Sequence, residues 1–142
     1  MMDNDNFQPK IIAFLCKWTT YAAADLCGVS RMPYVPNVNI IRVNCTGQVS
    51  ADMLFTAFEN GADGVLIGGC RPGHCRHGDA NMQTERRVYL LKRAIGEFGL
   101  NPDRIRVVGI AGAQALLFQK TVNKFTEDLR ALGPSPVIAH AR

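Results

Sequence analysis

No stretch of this sequence approaches the ~20 apolar residues that span a bilayer, since even Asp63 to Cys70 is short and glycine-rich. The first ten residues, Met1 to Lys10, are polar and acidic and lack the basic start and apolar core of a secretory signal. Basic residues never reach a run of five or six, and the net charge of +4 is the small difference between 16 Lys and Arg and 12 Asp and Glu. Nucleic-acid binding therefore has no footprint in the charge pattern. Phosphate-binding loops are missing too, because Gly64-Val-Leu-Ile-Gly-Gly69 matches neither G-x-G-x-x-G nor a P-loop. There is no internal repeat, low-complexity segment or linker. These absences lead us to expect a soluble cytoplasmic protein with no membrane span and no nucleic-acid partner.

What the chain does have is enough apolar content, 47% over 142 residues, to build one core without disulfide staples. Its five cysteines need another explanation. In a reducing compartment an odd number of thiols points to free thiols, catalytic thiols or metal ligands.

Four short apolar segments read as strands: Lys10 to Cys16, Val38 to Cys45, Gly64 to Cys70 and Arg104 to Ile110. Near-continuous runs of this kind suit strands buried on both faces. Helical spacing fills the intervals. Tyr21 to Val29 is a short alanine-rich helix, and Ser50 caps a helix from Ala51 to Asn60 that turns Met53, Ala57 and Phe58 inward and stops at Gly61. Asn81 to Phe98 aligns Val88, Leu91, Ile95 and Phe98, and Gln114 to Leu132 aligns Phe118, Val122, Phe125, Leu129 and Leu132 before Gly133-Pro134. This alternation predicts one small α/β domain, flavodoxin-like or Rossmann-like, whose four-stranded, mainly parallel sheet carries helices on both faces. We expect residues 10–133 to form the domain, with a flexible N-terminus over 1–9 and a tail over 134–142. The loops Pro33 to Pro36 and Arg71 to Ala80 should be loosely structured.

On this map Cys16, Cys45 and Cys70 each fall at the carboxyl end of a strand, the edge where open α/β sheets place their ligands. Cys75 follows Cys70 at a C-x4-C interval through Arg71-Pro72-Gly73-His74, a turn-forming stretch that can fold its sulfur back. Four converging thiolates fit a tetrahedral zinc site or an iron–sulfur cluster. Zinc usually takes two tight C-x2–4-C knuckles, and only one local pair exists here. A cluster has better reason to sit on the rim of a preformed sheet. Glycines Gly47, Gly68, Gly69 and Gly73 would let backbone approach the sulfurs, and Lys17, Arg71, Arg76 and Arg42 would offset the negative charge of a [2Fe–2S] centre. Cysteine is also simply a small buried hydrophobe, which is the expected role of Cys27 inside its alanine-rich helix. Trp18 beside Cys16 would shield a cluster or pack. His74 and His77 flank Cys75, so a Cys–His nucleophile, a mixed metal site and a Cys70–Cys75 redox pair stay open as alternatives. Glu85-Arg86-Arg87 reads as a solvated helix face or a partner-facing one.

Several segments resemble one family: Phe14-Leu-Cys-Lys-Trp18, Tyr21-Ala-Ala-Ala-Asp25, Gly28-Val-Ser-Arg31, Ile41-Arg-Val-Asn-Cys45-Thr-Gly47, Gly61-Ala-Asp-Gly-Val-Leu-Ile-Gly-Gly-Cys70, Pro72-Gly73, Cys75, Glu85-Arg-Arg87 and Leu132-Gly-Pro134. Over about residues 9 to 136 the chain resembles the delta subunit of the methyl-viologen-reducing, F420-non-reducing hydrogenase. The resemblance implies an electron-transfer subunit carrying a [2Fe–2S] cluster, held here by Cys16, Cys45, Cys70 and Cys75, with Lys17, Trp18, Gly47, Gly69, Arg71, Gly73 and His74 around it. It implies as partners the flavin-bearing subunit of heterodisulfide reductase, where electron pairs are bifurcated, and a hydrogenase small subunit or a formate or F420 dehydrogenase subunit. The chain departs from the family at Thr19, where members tend to carry a second cysteine two residues after Lys17's position. It departs again at Arg76-His77 and at Ala111-Gly-Ala-Gln114.

Overall fold

A computed structural model describes residues 7–137. The expected flexible N-terminus and C-terminal tail fall partly on residues 1–6 and 138–142, which lie outside the described residues. Four strands, β1 (Ile11–Cys16), β2 (Val38–Val43), β3 (Gly64–Gly69) and β4 (Ile105–Gly109), alternate with four helices, α1 (Thr20–Val29), α2 (Ala51–Glu59), α3 (Ala80–Glu97) and α4 (Ala115–Leu132). The strands form one parallel sheet in the order β2-β1-β3-β4. This is the small doubly wound α/β domain that the alternation predicted. The chain leaves β1 towards β2 but leaves β3 towards β4, so the connections diverge between β1 and β3 and make that point the crevice of the sheet.

The alternation of side chains along β1 divides the core in two. Ile11, Ala13 and Leu15, with Leu66 of β3, meet α1 and α4 through Ala23, Cys27, Phe118, Val122, Phe125 and Leu129. Phe14 points the other way and joins Val65, Ile67 and Ile105 against Leu54 and Phe58 of α2 and Val88 and Ile95 of α3. Central strands β1 and β3 are buried almost throughout, as an apolar run should be, whereas the outer strands β2 and β4 are only half-covered. Beside β2 an apolar groove lined by Ile12, Phe14, Ile41, Met53 and Ala57 remains open.

The helix signals lie close to their expected positions. Ser50 Oγ accepts from the Met53 N–H at 3.3 Å, the capping bond that starts α2. Gly61 and Gly133 adopt φ of +103° and +79° where α2 and α4 end, a conformation that costs glycine little. Two expectations need correction. Phe98 does not continue the buried stripe of α3 but is its C-cap and is 89% exposed, because the helix stops one residue earlier and the chain turns at Gly99. On α2 the fully buried pair is Leu54 and Phe58, with Met53 and Ala57 at the margin facing the groove.

The Gly68-Gly69 pair at the end of β3 serves packing. A Cβ on Gly68 would lie 2.5 Å from Thr20 Cγ2 and 2.9 Å from Leu15 Cδ2, and one on Gly69 would lie 2.9 Å from Thr46 Cγ2. One glycine therefore admits the start of α1 on one face of the sheet, and the next admits the loop after β2 on the other. Thr20 Oγ1 uses that closeness to donate to the Gly69 carbonyl at 3.0 Å.

Candidate functional site

Cys16 is the last residue of β1, Cys70 follows β3 directly, and Cys45 lies two residues beyond β2. All three are buried beside the β1/β3 crevice. The fourth thiol arrives through a turn. Pro72 and Gly73 occupy its central positions, Gly73 at φ +82°, and the His74 N–H closes it on the Arg71 carbonyl at 3.0 Å. The turn carries Cys75, half-buried, to within 4.0 Å of the Cys45 sulfur. Cys75 therefore meets the neighbouring loop as well as the cysteine five residues before it. Cys16 lies near enough to Cys45 and Cys70 to influence both.

Backbone and hydroxyl donors reach these sulfurs. The Gly47 N–H points at Cys45 Sγ from 3.4 Å within the 3-10 turn Thr46–Gln48. Thr19 Oγ1 donates to Cys70 Sγ at 3.6 Å. Burial pushes the Cys45 thiol up against the pull of the Gly47 N–H, and it pushes Cys70 up against the pull of the Thr19 hydroxyl. At Cys75 burial acts in the same sense but is outweighed by the N–H groups of His77 and Asn81 and by hydrogen bonds from Cys45 and Cys70. That thiol lies below the usual cysteine range.

The other predicted residues fall around this rim in different ways. Trp18 is 43% exposed and lies between two cations, with Lys17 Nζ 4.6 Å and the Arg76 guanidinium carbon 3.8 Å from its ring centroid. Arg71 and His74 are exposed on the loop, and Gly47 lies against the Cys45 sulfur, whereas Gly69 packs on Thr46 instead of approaching a sulfur. Arg42 stacks on Tyr21 of α1, 5.4 Å from its ring centroid. Cys27 takes no part, because its sulfur is buried between α1 and α4 and donates to the Ala115 carbonyl at 3.0 Å. Burial raises that thiol's pKa.

Two residues near the site had no sequence signal. Asn81, buried at the start of α3, donates from Nδ2 to the carbonyls of Cys70 at 3.1 Å and Arg71 at 3.3 Å, and so fixes where the loop leaves the sheet. Thr84 Oγ1 donates to the Thr46 carbonyl at 3.0 Å and holds the Cys45 turn against α3. An asparagine or threonine in the first two turns of a helix reads as a cap or a solvated residue. Only the tertiary arrangement assigns it to a distant loop.

Four thiols at the crevice of a parallel α/β sheet, with N–H and O–H donors aimed at the sulfurs, are residues that could hold a thiolate-ligated metal centre. Among the described residues no three His, Cys, Asp or Glu groups close around a single-ion position. Residues 11–133 match the family model described as methyl-viologen-reducing hydrogenase, delta subunit, and the chain belongs to that family. It is 40% identical over 130 residues to the iron-sulfur subunit of the vhc F420-non-reducing hydrogenase of Methanococcus voltae, covering 92% of this chain and 90% of that one. It is equally 40% identical to the iron-sulfur subunit of the vhu F420-non-reducing hydrogenase of Methanocaldococcus jannaschii, over 92% of this chain and 98% of the other. A third relative is much longer. It belongs to the ferredoxin/F(420)H(2)-dependent CoB-CoM heterodisulfide reductase of Methanosarcina acetivorans and is 41% identical over 126 residues, which are 89% of this chain and 16% of that protein. No helix among the described residues is long and apolar enough to cross a membrane.

Proposed function

We propose that this protein is an electron-transfer adaptor whose domain, residues 10–133, carries a [2Fe–2S] cluster on Cys16, Cys45, Cys70 and Cys75. The observation that carries the reading is the convergence of four thiols from three separate segments, the ends of β1, β2 and β3, on the β1/β3 crevice, with the Cys45 and Cys75 sulfurs 4.0 Å apart. A preformed core that buries two hydrophobic layers needs no metal to fold. A metal at its rim is therefore better suited to redox work than to structural support. When bound, such a cluster accepts and returns one electron. The chain's own part is to hold four thiolates in place, to aim the Gly47 N–H and Thr19 O–H at the sulfurs, and to keep water from three of them by burial.

The names of the relatives support a place in a complex. One set is described as hydrogenase iron-sulfur subunits, and the longer relative is named as part of a heterodisulfide reductase and contains a matching segment. A match inside the longer protein is what a module fused to its own partner would produce. We infer that the adaptor relays electrons between a hydrogenase small subunit, or a formate or F420 dehydrogenase subunit, and the flavin-bearing subunit of heterodisulfide reductase. The exposed rim around Trp18, Arg71 and His74 offers the contact surface closest to the thiols.

The test is iron and acid-labile sulfide on anaerobically purified protein, with visible and EPR spectra. About two irons and two sulfides per chain with a [2Fe–2S] signal, bleached in Cys45→Ser, is the expected result. A folded, iron-free chain that resists reconstitution sinks the proposal. The competing reading is thiol–disulfide exchange, favoured by the lowered Cys75 thiol beside Cys45. In that case oxidised protein would yield a Cys45–Cys75 bridge by mass spectrometry and no iron.

A further inference from the structure

Thr19 is the N-cap residue of α1, where a threonine hydroxyl oxygen ordinarily accepts from an N–H of the first helical turn. Here it makes no such bond, and its backbone has φ −134° and ψ −82°. Its hydroxyl crosses instead from the end of β1 to the end of β3 and donates to Cys70 Sγ at 3.6 Å. The other donors on these sulfurs differ in kind. The Gly47 N–H on Cys45 and the His77 and Asn81 N–H groups on Cys75 belong to the backbone, and in the remaining contacts a thiol is itself the donor, Cys16 to the Asn44 carbonyl and Cys45 and Cys75 with each other. Thiol protons leave when the sulfurs become ligands. Among the described residues, Thr19 is thus the side-chain donor that persists once all four sulfurs are thiolates, and the one a substitution can delete without rebuilding the backbone.

We propose that Thr19 is a potential-setting residue, whose hydroxyl bond to Cys70 Sγ raises the reduction potential of the centre held by the four thiols. The inference rests on the cluster reading above. Its physical basis is differential. A reduced centre carries one more electron, part of which resides on its ligand sulfurs, and a hydrogen bond to sulfur strengthens as negative charge there grows. The hydroxyl therefore favours the reduced state over the oxidised one, the usual effect of donors around cluster sulfurs. The partly buried position of Thr19 beside the buried Cys70 limits competition from water for that lone pair.

The experiment compares anaerobically purified wild type with Thr19→Val, which keeps the shape and loses the donor, Thr19→Ser, which keeps the donor, and Thr19→Ala as a second donor-free variant. Iron and sulfide per chain are measured first, and the midpoint potential follows by EPR-monitored titration. The expected result is equal iron in all four proteins. Thr19→Val and Thr19→Ala should lower the reduced-to-oxidised ratio at fixed ambient potential about tenfold, which is about 59 mV for one electron. Thr19→Ser should stay close to wild type. Equal potentials with equal iron would overturn the inference and leave the cluster reading standing. Loss of the cluster in both donor-free variants, with retention in Thr19→Ser, would make Thr19 a support of assembly and likewise overturn it. Iron-free wild type would overturn the cluster reading and this inference together.

Discussion

The Arg76 guanidinium lies 3.8 Å from the ring centroid of Trp18, so the residue after Cys75 is fastened to the residue two places after Cys16. The stack pins an otherwise exposed loop across the crevice and fixes the one rim thiol that burial does not hold. A cation–π contact at a partly exposed site is worth about 0.5–1 kcal/mol. Arg76→Ala should therefore open the loop only a few-fold more often. The expected outcome is an alkylation rate at Cys75 of the metal-free protein raised about two- to fivefold, with Cys45 and Cys70 unchanged. Peptide mass mapping after brief iodoacetamide treatment measures it. An unchanged Cys75 rate would mean that the Pro72-Gly73 turn holds the loop by itself.

Gly68 and Thr20 are in the closest fit around the crevice. Adding a methyl group at Gly68 forces Thr20 and the start of α1 away from the sheet, and overpacking of that kind costs about 1–3 kcal/mol. Thr20→Ser removes the colliding Cγ2 while keeping the hydroxyl that donates to Gly69. It should recover part of the loss when combined with Gly68→Ala, the remainder being the contacts with Leu15 Cδ2 and with the Cβ that serine retains, each at 2.9 Å. Urea unfolding of the four proteins in the cycle gives the coupling. Additive effects would show that the helix relaxes elsewhere.

On the α4 side of the sheet, Asp128 accepts from Lys124 and from Arg106, each at 2.8 Å, and so ties α4 to β4. The hydrogen bonds from Lys124 and Arg106 hold its carboxyl below the usual carboxylate range, against a small opposing effect of burial. A carboxyl that is more acidic when folded stabilises the protein at and above the ordinary range. That contribution fades as pH falls through the folded value. Because the groups are partly exposed, it amounts to at most about 1 kcal/mol. Asp128→Asn should lower the melting temperature by about 3 °C at neutral pH, and the two curves should converge from about pH 5 downward. Curves that stay parallel into acid would remove Asp128 from the acid response.

The order of elements was readable in the sequence because its cues are local. The apolar run of Ile11 to Cys16, the Ser50 cap and the glycines after α2 and α4 each constrain a few neighbouring residues. The strand-end placement of Cys16, Cys45 and Cys70 followed from that map. What was not readable depends on partners far away in the chain. The Gly68-Gly69 pair looked like a route for backbone to reach sulfur, but its fit is to Thr20 and Thr46, 48 and 23 residues away from Gly68 and Gly69. Asn81 and Thr84 carried no signal because their hydrogen bonds go to loops 10 and 38 residues distant. Phe98 satisfied the helical period and still faces solvent, since periodicity cannot tell where the last turn ends.

Cys27 gives the sharpest separation of packing from function among the five thiols. Its sulfur is buried where α1 crosses α4, donates to the Ala115 carbonyl and has its pKa raised by burial. What sets it apart from the rim cysteines is place rather than acidity, because it packs between two helices away from the carboxyl ends of the strands and its S–H is engaged by a carbonyl. Cys27→Ala should cost about 1–2 kcal/mol of stability, from the small cavity left between α1 and α4 and the lost bond to the Ala115 carbonyl, while iron and sulfide per chain stay at the wild-type value. In the folded metal-free protein Cys27 should also be the slowest thiol to react with a disulfide reagent, and Cys75 the fastest. Loss of iron in Cys27→Ala, in a protein that still unfolds cooperatively, would bring Cys27 into the ligand set and displace one of the four rim cysteines from it.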